Sequence, residues 1–113
     1  MLAAPLSPFR LHGNFVFLSG HVPVVEGTDD VPLTFEEQVR VALDNLRRSL
    51  SRAGSAPEKV LSVTAFVTAR EDIPAFNSAY LEMFAEPFPA RALLVSALPN
   101  ARYKVEIQAV AHL

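Results

Sequence analysis

The sequence predicts an α+β fold, one sheet backed by two helices in the element order ββαβαββ. Three features lead there: β-branched and aromatic runs of strand length, two segments whose apolar residues recur at helical spacing, and Pro- or Gly-bearing breaks between them. With 113 residues and no shift of composition along its length, the chain reads as one domain over residues 1–113. Half of the residues are apolar, enough to fill a core without metal or crosslinks.

Phe9 to Ser19 divides into two short strands around Gly13-Asn14, a pair able to supply the positive backbone dihedrals of a two-residue hairpin turn. Gly20 to Leu33 is rich in Pro, Gly and Asp and reads as a loop with fixed bends, long enough for a rim or binding loop. Thr34 with Glu37 forms a capping box that opens the first helix. Phe35, Val39, Leu43, Leu46 and Leu50 make its single apolar stripe, and Gly54 is placed to end it in a left-handed cap. Val60 to Thr68 is β-branched and aromatic, a strand. Pro74 suits the first turn of a second helix, which buries Ile73, Phe76, Tyr80, Met83 and Phe84 and stops before Pro87 and Pro89. Ala92 to Leu98 and Tyr103 to Ala111 are the last two strands, joined around Pro99-Asn100.

A sheet covered on one side should carry polar residues on its other face, because alternate side chains point opposite ways. Here Phe15 and Phe17 oppose Val16 and Leu18, and Leu93 and Val95 oppose Leu94 and Leu98, so both faces are apolar. Two helices cover one face only. The second is buried either by self-association into a closed ring or by loops of a larger monomeric core.

Composition removes several function classes. The absence of cysteine excludes disulfides, a thiolate nucleophile and thiolate metal sites. A formal charge of −2, with basic residues dispersed except for Arg47-Arg48, provides no field for a phosphate backbone. His12, His21 and His112 lack paired ligand spacing, so no zinc site is expected, and no glycine-rich phosphate loop is present. Met1 to Arg10 has no secretory pattern, and nowhere do about eighteen apolar residues run uninterrupted; the expected location is the cytoplasm, away from membranes.

In the last strand, Tyr103, Val105, Ile107, Ala109 and Ala111 share one face, leaving Lys104, Glu106, Gln108 and His112 on the other. A carboxylate at Glu106 is either held in a structural ion pair or poised in a cleft with the raised pKa that a general acid or base requires. Arg91 follows Phe88-Pro89-Ala90 and opens a strand, a rigid mount for a guanidinium fork that binds a carboxylate bidentately, caps a strand end, or pairs with Glu106. Asn77, between Phe76 and Tyr80, is suited to bonding a ligand or a neighbouring loop. Ser19-Gly20-His21 resembles a catalytic fragment, yet no acid or second base stands at a recognisable spacing for a serine hydrolase.

The ordered set Ser19-Gly20-His21-Val22-Pro23, Gln38 to Asn45-Leu46, Ala53-Gly54, Phe76-Asn77 to Tyr80, Phe88-Pro89-Ala90-Arg91, Leu98-Pro99 and Val105 to Ala111 resembles the Rid family. Its members are the reactive-intermediate deaminases, also called YjgF-type proteins, and the match runs from about Pro8 to the C-terminus. The resemblance implies a chorismate-mutase-like fold, a homotrimer with sheets facing an inner barrel, and ligand sites at subunit interfaces. It implies cofactor-free hydrolysis of 2-aminoacrylate and related enamines or imines to 2-keto acids and ammonia. By the same resemblance Arg91 holds the substrate carboxylate, Glu106 orients or activates water, and Asn77, Ser19 and Gly20 line the pocket. Phe9 stands where many members carry a tyrosine, His21 replaces a common glutamine, Leu93 a frequent cysteine, and Gln108 the second carboxylate of a Glu-Ile-Glu pattern. These departures bear on substrate choice and leave two other readings: a non-catalytic binder of small carboxylates, and the endoribonuclease activity attached to some relatives, which the acidic balance disfavours.

Overall fold

The chain opens on a hairpin, β1 (Phe9–His12) and β2 (Phe15–His21), followed by α1 (Phe35–Ala53), β3 (Val60–Val67), α2 (Ile73–Met83), β4 (Ala90–Val95) and β5 (Val105–His112). These elements belong to a computed structural model that describes residues 4–113; the first residues of the Met1 to Arg10 stretch lie outside it. Short 3-10 turns, Pro57–Lys59 and Arg70–Asp72, lead into β3 and α2. The five strands form one sheet in the order β1-β2-β5-β3-β4, antiparallel except for the parallel β3–β4 pair. The predicted α+β order is the observed one.

Both helices lie on one face of the sheet. The α1 stripe of Phe35, Val39, Leu43, Leu46 and Leu50 is buried, against inward residues that include Val16, Leu18, Val63, Ala65, Val67, Val105 and Ile107. Removing each such aliphatic side chain from water contributes about 1.5–3 kcal/mol. Thr34 caps α1 by accepting from the Glu37 N–H at 3.2 Å, while the Glu37 carboxylate accepts from the Thr34 hydroxyl instead of reaching its backbone N–H. Gly54 ends the helix at φ 86°, its N–H shared by the Leu50 and Ser51 carbonyls. In the hairpin turn only Gly13 takes a positive φ, 57°, so Asn14 does not need the left-handed region. On α2, Phe76, Ala79 and Tyr80 are buried, as is Phe84 at its C-cap, and Ile73 and Met83 pack at the edge of the core.

Strand boundaries differ from the predicted ones in β2, β3, β4 and β5, by one to three residues at an end, and hydrogen bonding accounts for the larger shifts. β4 spans Ala90 to Val95 because its ladder depends on β3, which ends at Val67; the Ser96 N–H makes the last bond, to Val67, and Leu98 lies beyond. β5 begins at Val105 because the Lys104 N–H is taken at 2.8 Å by the side-chain oxygen of Gln38. β2 continues through Gly20 to His21 by way of a bulge. The last two strands, though joined around Pro99-Asn100, do not pair: β3 lies between them.

Gln38 is buried on α1, and its amide also donates to the carbonyls of Pro32 and Arg102 at 2.8 and 2.9 Å. Replacing it with leucine would keep the volume and strip two carbonyls and one N–H of their partner. We expect Gln38→Leu to lower unfolding free energy by on the order of 3 kcal/mol in urea denaturation, and a loss below about 1 kcal/mol would mean that water replaces the amide.

Candidate functional site

Arg91 lies on the edge strand β4 beside Val63 of β3, on the helix-covered face. Its guanidinium rests 4.9 Å from the Tyr80 ring centroid and 5.7 Å from that of Phe76, both on α2. Asn77, one helical turn before Leu81, accepts from Arg91 Nη1 through Oδ1 at 2.9 Å. An aromatic platform and one hydrogen bond thus set the plane of the fork while leaving other N–H groups free for a ligand. A cavity of about 420 Å³ opens over it, lined by Asn77, Tyr80, Leu81, Phe88, Pro89 and Arg91. Burial raises the Tyr80 hydroxyl above the usual tyrosine range, with the Arg91 charge acting in the opposite sense.

Glu106 sits at the second position of β5 between buried Val105 and Ile107, so it projects from the opposite, uncovered face, where its cross-strand partner is Phe66. Gly20 explains its surroundings. Leu18 pairs with Ala109 and His21 with Ile107, so β2 holds one residue more than β5 over this stretch, a bulge. The bulge presses Gly20 onto Glu106, and a β-carbon there would overlap the carboxylate. Burial pushes the Glu106 carboxyl above the usual carboxylate range. Among the described residues the ion pairs are Arg47–Asp44 and the two arms of Glu26, to Arg48 and Arg52; Glu106 takes part in none.

One chain therefore brings Arg91 together with Asn77, and Glu106 together with Gly20, and keeps the two groups on opposite faces of the sheet. Ser19 stands in the bulge, its hydroxyl donating to the Ser7 carbonyl. Phe9 pairs with Leu18 and packs against the core on the helix side. The sequence reading missed the role of Tyr80 and Phe76 as the platform under the guanidinium, although their placement one turn apart around Asn77 carried the signal. It singled out His21 but did not show that its ring is buried and bonded to Ser49 of α1. No helix among the described residues is long and apolar enough to cross a membrane.

The family model described as Endoribonuclease L-PSP matches residues 2–113. The chain belongs to this family, known as Rid. Protein mmf2, mitochondrial, of Schizosaccharomyces pombe is 37% identical over 102 residues, 88% of this chain and 80% of that one. The 2-iminobutanoate/2-iminopropanoate deaminase of Escherichia coli K12 is 33% identical over 102 residues, with the same coverage of 88% and 80%. Among solved structures, E. coli TdcF with bound serine superposes with a TM-score of 0.90 at 29% identity, covering 99% of this chain and 91% of that one. The five-stranded sheet with two helices is thus the Rid fold, and the names within the family include deaminases and endoribonucleases.

The close approach of Gly20 to Glu106 is testable in this Rid protein without any assay of activity. Gly20→Ala should lower the unfolding free energy by about 1–3 kcal/mol through overpacking, and by much less in a Glu106→Ala background. Thermal or urea unfolding of the double-mutant cycle reads the coupling; additive losses would mean the two residues do not meet.

Proposed function

We propose that this Rid protein is a cofactor-free deaminase that hydrolyses 2-aminoacrylate-type enamines and other 2-imino acids to 2-keto acids and ammonia. The observation that carries the reading is the division of the predicted site into two halves, each preorganised and each incomplete. Arg91 on its aromatic platform is a carboxylate anchor without a base; Glu106 under Gly20 is a base without an anchor. A second copy of the chain supplies the missing half if β4 of one subunit meets the open sheet face of the next. Phe15, Phe17 and Leu94 are 48%, 48% and 44% exposed, an apolar surface that favours such an association. The reading therefore includes a homotrimer with interface sites, in the cytoplasm, with small 2-imino and 2-keto carboxylates as partners and no nucleic acid.

The chemistry asks little of the protein. Arg91 holds the substrate carboxylate in two parallel bonds and so fixes the C=N carbon. An enamine enters as its imine tautomer. Glu106 as carboxylate takes a proton from the water whose oxygen adds to the C=N carbon and hands it to the imine nitrogen. It then moves the carbinolamine hydroxyl proton to the resulting amine as the C–N bond breaks, giving keto acid and ammonia. Asn77 keeps the fork in plane; Ser19 and Gly20 belong to the wall of the Glu106 half, whereas Phe9 faces the helix side, away from Glu106. Serine bound in the TdcF crystal also fits a second reading, a carboxylate-binding protein without turnover, for which the Arg91 half alone suffices.

With imino acids generated in situ and keto acid followed, Glu106→Gln should lower kcat by ~10²- to 10⁴-fold with little change in KM. Arg91→Ala should raise KM, and Arg91→Lys should lose most of the carboxylate affinity, because a point charge cannot form two parallel bonds. A wild-type protein that binds these acids and accelerates none of the imines is the non-catalytic module.

The active form of Glu106 is the carboxylate, and its pKa is raised, so the rate falls with decreasing pH earlier than for an ordinary glutamate near ~4.3. The pH profile of kcat should show this acid limb in the wild type and lose it in Glu106→Gln. A limb that persists in the variant belongs to another group.

A further inference from the structure

The β2 bulge decides where Gly20 lies, and one buried ring fastens the bulge. Without the extra residue, alternation from Leu18 would put His21 on the open face; with it, His21 turns to the helix side, where it is 8% exposed. Its Nδ1 lies 2.7 Å from the carbonyl oxygen of Ser19, inside the bulge, and its Nε2 lies 2.7 Å from the hydroxyl of Ser49, itself buried on α1. A carbonyl only accepts, so Nδ1 carries the proton, and the neutral ring receives the Ser49 hydroxyl at Nε2. Burial holds the ring below the usual histidine value and so favours that neutral form. The charged groups around the neighbouring cavity of about 270 Å³ are Glu26, Arg48 and Arg52. They are engaged with one another, Glu26 bridging both arginines at 2.9 and 2.6 Å.

We propose that His21 is a positioning residue for Glu106: by tying the Ser19 carbonyl to helix α1 it holds the bulge in the shape that seats Gly20 against the Glu106 carboxylate. The effect passes through backbone. The ring fixes the Ser19–Gly20 peptide, and that peptide shields one side of the carboxylate from water. Loss of either end of the strut lets the bulge relax and water reach Glu106. This deepens the proposed deaminase reading, since it takes Glu106 as the reacting base, and it predicts that a glutamine is compatible with the same position. A glutamine amide donates to a carbonyl and accepts from a hydroxyl as the neutral imidazole does.

The test uses the full-length protein and three variants, His21→Ala, His21→Gln and Ser49→Ala. Two readouts are taken: the carboxyl 13C titration of Glu106 by NMR, assigned with Glu106→Gln, and the pH profile of imine hydrolysis. In His21→Ala the Glu106 titration should move down toward the ordinary glutamate range, kcat should fall ~10- to 100-fold from misplacement, and KM should stay near wild type. Ser49→Ala should move the titration in the same direction by less, and His21→Gln should restore wild-type behaviour in both readouts. A folded His21→Ala or Ser49→Ala protein whose Glu106 titrates as in the wild type overturns the proposal, as does a His21→Gln protein that behaves like His21→Ala. If the wild type turns over no imine, the deaminase reading fails while the NMR titration still decides the role of His21.

Discussion

A strand hydrogen-bonded along both edges cannot rotate or slip by one residue without exchanging its two faces. β5 is such a strand, held by β2 on one side and β3 on the other, and every other placement in the molecule is measured from it. Val105, Ile107, Ala109 and Ala111 are buried beneath the helices. Glu106 is thereby committed to the uncovered face, with no side-chain torsion able to bring it back. The cost of a partly desolvated carboxylate is accepted because the core on the reverse side of the same strand forbids the alternative register.

The same logic separates the two charged groups. Arg91 stands on the outermost strand, where the sheet offers no further partner, and α2 supplies one instead through two aromatic rings and an amide. A guanidinium is weakly hydrated and flat, so it lies on such rings at small desolvation cost. Glu106, in the interior of the sheet, is shielded by backbone and not by a counter-ion. Pairing within one chain would tie the two groups to each other; on opposite faces of the sheet neither has the other as its partner.

Much of the fold was legible in the sequence because its signals are local. Thr34 and Gly54 bracket α1 through bonds spanning a few residues, and the apolar stripe from Phe35 to Leu50 repeats at the helical period. Strand order was not legible: β5 inserts between β2 and β3 through pairings of distant residues, and no spacing along the chain encodes that choice. The bulge was hidden for another reason. Ser19-Gly20-His21 breaks the apolar alternation of Phe15 to Leu18, and a polar His21 looks like the start of a loop even though its burial is what the extra residue achieves. For Arg91, the alternation with Leu93 and Val95 was plain, but which side of β4 matched which side of β5 depends on β3 between them. The residues that resemble the Rid family were therefore a better guide to the composition of the site than to its geometry.

The segment between β2 and α1 bears on how a ligand would come and go. Asn45 of α1 donates to the carbonyls of both Val22 and Val24 at 3.0 and 2.9 Å, Glu26 is gripped by two arginines of the same helix, and Arg102 Nη1 holds the Asp29 carbonyl at 3.2 Å. Thr28 closes the tip by donating to the Val25 carbonyl and accepting from the Asp30 N–H. Fastened at so many points, this stretch is a wall and not a door. A molecule entering the neighbouring cleft would meet a fixed rim in this stretch, not a segment that must first swing aside.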